Sequence, residues 1–248
     1  MSGRAADAHC HLDFDSFDKD REEVIEKCSE ELELVVNSGR DPETNQESLE
    51  LQKGYSDFIY ATAGIHPTHT EAFDQVGEVR KQLEDSDFCA VGEIGMDYHH
   101  VEEEEMREKQ EEVFVEMVET AEEINLPVVV HSRNAEKQVL EVLKDRDVDC
   151  YLHCFNGSVS QAETAVEQDM LIGVTYQIVY SSRVQSIVEA VPLENLVLET
   201  DSPFLKQGER NTPLTVNEVA EEIAEIKDIP VSKVKAITTE NSREIFSL

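Results

Sequence analysis

Eight short apolar runs, each followed by an amphipathic stretch, recur along the whole chain, and this alternation limits what it can fold into. The strand-like runs cover residues 6–12, 32–36, 58–65, 89–94, 127–131, 149–153, 170–175 and 196–200. Helical stretches open near Ser16, Asp41, Thr68, Val101, Asn134, Ser158 and Ser181, several of them at a residue able to cap a helix N-terminus. In the clearest, 102–124, Val113, Phe114, Met117, Val118, Ala121 and Ile124 form one stripe at helical spacing. A strand followed by a helix, eight times in 248 residues, predicts an α/β fold, the TIM (β/α)8 barrel. No composition shift, linker or internal repeat divides residues 1–248, which are expected to form a single domain. Two further helices are predicted at 215–227 and 232–239, and Ile245 and Phe246 are expected to pack against the outside of the barrel.

Composition narrows the function. Acidic residues number 55 against 21 basic, a net charge of −34, so the chain has no basic surface to draw in nucleic acid at long range. With 40% apolar residues in regular periods it is not a disordered acidic tail; the acid is spread over helix faces, as in Glu102-Glu103-Glu104-Glu105. That distribution resembles proteins of salt-loving organisms, where molar salt cuts the Debye length to about 3 Å. The five cysteines are scattered with no CxxC pair, which argues against a disulfide framework and against a thiolate zinc site. With no run of about 18 apolar residues and no leader-like N-terminus, a cytoplasmic protein without a membrane partner, a monomer or small homo-oligomer, is expected.

In a parallel barrel, chemistry gathers at the C-terminal ends of the strands, and the residues that break the apolar runs fall there. His9 and His11, in Asp7-Ala8-His9-Cys10-His11-Leu12-Asp13, point the same way on a strand because side chains repeat with period two. Glu93 is an acid inside Val91-Gly92-Glu93-Ile94-Gly95, where burial without a partner would be costly. His131 closes the fifth run, His153 the sixth, and Asp201 follows the eighth. Four imidazoles and two carboxylates exceed the needs of one tetrahedral zinc and fit two divalent ions, Zn, Mg or Mn. His9, His11 and Asp201 are assigned to one ion and His131 and His153 to the other, with Glu93 between. Two ions about 3.5 to 4 Å apart can hold a bridging hydroxide and clamp a phosphoryl or carbonyl centre, so metal-assisted hydrolysis is expected. Asp201 is the candidate general base, with Glu199 an alternative two residues deeper. His66 reads as either a substrate contact or a structural cap, and His69 as a solvated loop histidine.

The segments 7–13, Gly64-Ile65-His66-Pro67, Gly92-Glu93-Ile94-Gly95-Met96-Asp97-Tyr98, 127–133, 152–158, 198–204, Arg210-Asn211-Thr212-Pro213 and 241–246 together resemble, in order, the motifs of the TatD-related metal-dependent DNases. The resemblance spans essentially the whole chain. It implies a two-metal barrel with ligands His9, His11, Glu93, His131, His153 and Asp201, catalysis through Glu93 and Asp201, nucleic acid (DNA) as substrate, and His66 as a phosphate contact. Asn134, Asn156 and His99-His100 depart from the usual residues and the 204–210 loop is short, which leaves Arg133 and Arg210 as the cationic substrate contacts. The leading expectation is therefore a deoxyribonuclease acting on single strands or ends. The alternatives are a hydrolase of a non-DNA ester or amide, such as an aminoacyl-tRNA or small phosphoester, and a catalytically silent binding barrel.

Overall fold

A computed structural model describes residues 3–248. Its eight strands, β1 (Ala6–Cys10), β2 (Leu34–Ser38), β3 (Ile59–Ala63), β4 (Ala90–Asp97), β5 (Val128–Arg133), β6 (Cys150–Leu152), β7 (Leu171–Val174) and β8 (Leu196–Leu198), lie in one parallel sheet in sequence order. The helices around them are α1 (Arg21–Glu31), α2 (Pro42–Gly54), α3 (Val76–Asp85), α4 (Glu104–Ile124), α5 (Glu136–Leu143), α6 (Val159–Val166), α7 (Ser182–Ala190), α8 (Val216–Lys227) and α9 (Val231–Ile245). The expected barrel is thus the observed one. Among the described residues no helix is long and apolar enough to cross a membrane.

The ring closes at a thin seam. Between β1 and the segment after β8 there is a single parallel bridge, Cys10 to Ser202. It is reinforced by His11 N donating to Ser202 O (2.8 Å) and Asp201 N to His9 O (2.9 Å). The buried Asp7 carboxylate does the rest, accepting from the Thr200 amide (2.9 Å) and hydroxyl (2.6 Å). A side chain here supplies acceptors that a strand ladder would otherwise provide.

Several boundaries differ from expectation for local reasons. β4 runs three residues past 94 because Gly95, Met96 and Asp97 pair with His131, Ser132 and Arg133. At Gly95 (φ +137°) a Cβ would come within 2.1 Å of the His131 carbonyl, so only glycine lets β4 and β5 approach there. β2 begins at Leu34 and not at 32, since the Leu32 amide still bonds Cys28 O at the end of α1. Helix starts at Asp41, Ser158 and Ser181 are as read: each side chain accepts from a first-turn amide, and Asp41 and Ser158 complete capping boxes. The stretch opening near Thr68 is a 3-10 turn, Thr70–Gln75, before α3.

Two apolar layers hold the barrel. One lies between strands and helices and takes in Val113, Phe114, Met117, Val118 and Ala121 of α4. The other gathers the alternate strand residues, among them Ala8, Val36, Ala90, Val129, Tyr151 and Val197, together with Ile245 and Phe246. The C-terminal pair therefore does not lie in the outer layer as expected. Phe246, 2% exposed, packs with the inward-facing set, its ring centroid 6.3 Å from that of Tyr151, and contributes about 2 to 3 kcal/mol by burial.

Candidate metal centre

His9 and His11 stand at the end of β1, where the register shifts between Asp7 and Cys10. Their Nε2 atoms face each other at 3.3 Å. The outer nitrogens are anchored: His11 Nδ1 to the Ser38 carbonyl (2.9 Å) and His9 Nδ1 to the Ser38 hydroxyl (3.1 Å). A carbonyl can only accept, so His11 carries its proton on Nδ1 and presents a lone pair inward. The same logic applies to His153, whose Nδ1 lies 2.6 Å from Glu199 Oε2, and to His131, whose Nε2 lies 3.0 Å from Asp97 Oδ2. His131 Nδ1 and His153 Nε2 therefore face inward beside His11 Nε2, and each becomes a lone pair when a divalent ion displaces the proton that the surrounding carboxylates hold on its ring.

Glu93 sits between them. A register shift in β4 between Val91 and Ile94 breaks the alternation, so Glu93 faces the interior although Val91, two residues before it, packs in the outer layer. Its Oε2 is 3.3 Å from His9 Nε2 and 3.8 Å from His11 Nε2, while Oε1 is 2.9 Å from His131 Nδ1 and 3.8 Å from His153 Nε2. One carboxylate thus divides its oxygens between two imidazole pairs. Asp201, in the left-handed region (φ +53°) that aspartate tolerates, puts Oδ1 3.5 Å from His11 Nε2 and 3.8 Å from His153 Nε2. It stands between the two pairs and not on the His9 side alone. Imidazole nitrogens and carboxylate oxygens with their far sides tied down are a donor set suited to divalent ions, and triads such as His9, His11 and Glu93 hold their ligand atoms within 4.8 Å.

The charges fit the geometry. Burial raises the Glu93 carboxyl, but His66, His153 and His9 overcome this and hold it well below the usual range. Burial also depresses the histidines, yet His131 is pushed up to about 9 by Asp97 and Glu93, and His153 to about 10 by Glu199 and Glu93. Asp201, raised by burial, is brought below its ordinary value by the His11 hydrogen bond and His153. His66 goes the other way, to about 4, because burial dominates.

The six expected ligands therefore meet, and the remaining candidates separate. Five of the six, all but the fully buried His9, floor a cavity of about 550 Å³ that is also lined by His66, Arg133, Arg40, Asp97, His69 and Phe204. His66 Nδ1 accepts from the Thr68 amide (3.2 Å), so its proton is on Nε2, 3.4 Å from Glu93 Oε1. The ring thus presents Nε2 to the cavity while Nδ1 ties it to Thr68. Arg133 lines the cavity with no carboxylate partner among the described residues. Arg210 does not line it: its fork grips Asp20 (2.7 and 2.6 Å) and donates to Ser16 O, and the guanidinium lies over Phe17. The cation that does reach the cavity wall is Arg40, held by Asp13 Oδ2 at 2.6 Å and seated 4.2 Å over the Phe14 ring. His69 is not a free surface ring but is paired with Asp41 at 2.8 Å. Glu199, fully buried, accepts from Tyr151, His153 and the Cys154 amide, which leaves it an anchor and not a base.

Asp97, Ser38 and Arg40 went unread in the sequence as site residues. Asp97 carried a signal, an acid two residues beyond a glycine in a strand already holding Glu93. Arg40 carried none, since its place in the wall depends on the turn after β2.

The family model described as TatD related DNase matches residues 6–247. A metal-dependent hydrolase of Methanocaldococcus jannaschii is 38% identical over 245 residues, covering 97% of this chain and 96% of its own. The human deoxyribonuclease TATDN3 is 31% identical over 257 residues, 97% of this chain and 93% of its own. The crystal structure of YJJV, a TatD homologue from Escherichia coli, superposes with a TM-score of 0.89 at 28% identity over the full length of both chains. Barrel and whole-length similarity agree, and the chain belongs to the TatD-related DNase family of metal-dependent hydrolases.

Proposed function

We propose that the protein is a two-metal deoxyribonuclease that hydrolyses phosphodiester bonds at ends or in single strands, with His9, His11, Glu93, His131, His153 and Asp201 as ligands. The observation that carries this reading is Glu93, whose two oxygens face separate imidazole pairs across the cavity. Divalent ions held there supply Lewis-acid activation of water and of the phosphoryl centre. The chain's own groups do the rest. Asp201, kept ionised by His11 and His153, accepts the proton of the attacking water on its carboxylate. His66, neutral with its proton on Nε2, donates to a phosphoryl oxygen. Arg133 contacts the phosphate from the rim.

The nucleic-acid substrate is supported by the family and by the deoxyribonuclease name of the human relative. The net charge of −34 means that the grip is local, and weak binding over a short footprint follows. The test is hydrolysis of an end-labelled single-stranded oligonucleotide with Mg²⁺, Mn²⁺ or Zn²⁺, wild type against His131→Ala. Metal-dependent shortening that the variant loses supports the reading, and the ladder reports polarity. No cleavage by folded, metal-loaded wild type overturns it in favour of a non-nucleic-acid ester or amide. In parallel, Glu93→Ala should lose metal while its far-ultraviolet spectrum stays that of a barrel.

A further inference from the structure

Among the described residues three large apolar side chains are markedly exposed, Val179 (39%), Tyr180 (47%) and Phe204 (43%), and both aromatic ones stand at the mouth of the metal centre. Phe204 lines the 550 Å³ cavity. Tyr180 lines an adjoining cavity of about 360 Å³, reaching Asn156 and Gln177, which shares the floor of His131, His153 and Asp201. Both rings are tied to one short turn. The Phe204 amide donates to Asp201 O (2.8 Å), and the Tyr180 hydroxyl donates to the carbonyl of Leu205 (3.4 Å). Phe204 is braced edge-on by Phe14, at 5.0 Å and 88° between ring centroids and planes, and Phe14 is fixed by the Arg40 guanidinium above it. In a chain with 6% aromatic residues, two rings left open to water on either side of one catalytic floor are placed for a partner with flat faces.

We propose that Phe204 and Tyr180 are base-stacking platforms, one for the nucleotide on each side of the scissile phosphate, a role that rests on the nuclease reading above. Three features point to this occupant. The two lobes meet over the imidazole and carboxylate floor, so a phosphodiester seated there has a nucleoside directed to each. Arg133 borders both lobes and offers the backbone a cation. Because the net charge of −34 repels a polyanion at range, affinity has to come from contacts that salt does not screen, and base stacking on an aromatic face is such a contact. Bases held in a duplex cannot turn to these rings, so the platforms select unpaired nucleotides and tolerate any sequence.

The experiment uses metal-loaded protein, wild type, Phe204→Ala, Tyr180→Ala, and the aromatic-preserving Phe204→Tyr and Tyr180→Phe. Substrates are a short single-stranded oligonucleotide and the same strand made abasic on one or the other side of the cleaved bond. Each alanine variant should raise KM for the intact strand roughly 5- to 150-fold with little change in kcat. The penalty should vanish on the strand lacking the matching base, and the aromatic variants should behave as wild type. In stopped-flow mixing, 2-aminopurine at the stacked position should be quenched by wild type and not by the alanine variant. Unchanged KM and quenching in both alanine variants overturn the proposal, as do equal losses on intact and abasic strands. A change in oligomeric mass with KM unaltered overturns it too, and makes the rings a contact between copies. Wild type that neither cleaves nor quenches the strand refutes the nuclease reading and this one together, whereas cleavage by wild type with KM and quenching unaltered in both alanine variants refutes this one alone.

Discussion

Replacing Asp7 tests whether one buried carboxylate holds the barrel seam. It accepts from Thr200 N (2.9 Å), Thr200 Oγ1 (2.6 Å) and, more weakly, His9 N (3.3 Å), and it is fully buried. Asp7→Ala leaves the two amides without partners, since the hydroxyl alone can turn elsewhere, and each orphaned buried donor costs about 1 to 3 kcal/mol. Burial pushes the Asp7 carboxyl well above its ordinary value, so removing it also relieves a desolvation penalty that offsets part of the loss. The net expectation is a destabilisation of about 2 to 4 kcal/mol, or roughly 4 to 16 °C in Tm for a chain of this size. Asp7→Asn keeps one acceptor oxygen and sheds the charge, and should lie within about 1 kcal/mol of wild type. The pH dependence has a definite sign. With the folded carboxyl pKa raised, wild type loses stability as pH rises above the unfolded value of about 3.9, and the Asn variant gains relative to it over that window. Urea unfolding followed by circular dichroism, in chelator and again with metal, measures all three proteins. An Ala variant within about 1 kcal/mol of wild type, or an Asn variant as damaged as the Ala variant, would refute the seam argument.

Metal uptake should release protons. With His131 raised to about 9 and His153 to about 10, both are charged in the metal-free site at neutral pH, and the stability they lend is complete below about 6.5 and lost as pH rises through those values. Affinity for Zn²⁺ should therefore climb between pH 6 and 9, and calorimetry in buffers of different ionisation enthalpy that finds no proton release would contradict the site. Asp41→Ala removes the α2 cap and the His69 pairing and should cost about 1 kcal/mol at pH 7. Because Asp41 is held below its usual value by His69, that difference should shrink as pH falls below about 4, readable from melting curves. Burial raises all five thiols, those of Cys28 and Cys89 to about 12, and only Cys154 is partly exposed, so Ellman's reagent should reach at most Cys154 in native protein and all five thiols after denaturation.

The barrel was legible because period-two apolar runs and helical stripes are local properties, written within a dozen residues of each other. The candidate ligand positions were legible for a related reason: a histidine or glutamate inside an apolar strand end, as at His9, Glu93, His131 and His153, announces a cost that only a partner removes. What the sequence by itself determined was thus the fold class, the rim on which the chemistry sits and the residue types that meet there. Only the tertiary structure decided which partner each group has. Arg133 and Arg210 are indistinguishable as sequence, yet Asp20, 190 residues away, claims Arg210, while Arg133 lines the cavity with no carboxylate partner among the described residues. Phe246 turns inward because the strand starts leave room beside Tyr151, and Asp97, Glu199 and Ser38 become anchors because β4, β8 and β2 bring them against rings from other strands. Hydrogen-bond pairing and the shielding of charge depend on distances across the barrel, and such distances exist only once the eight strands have closed.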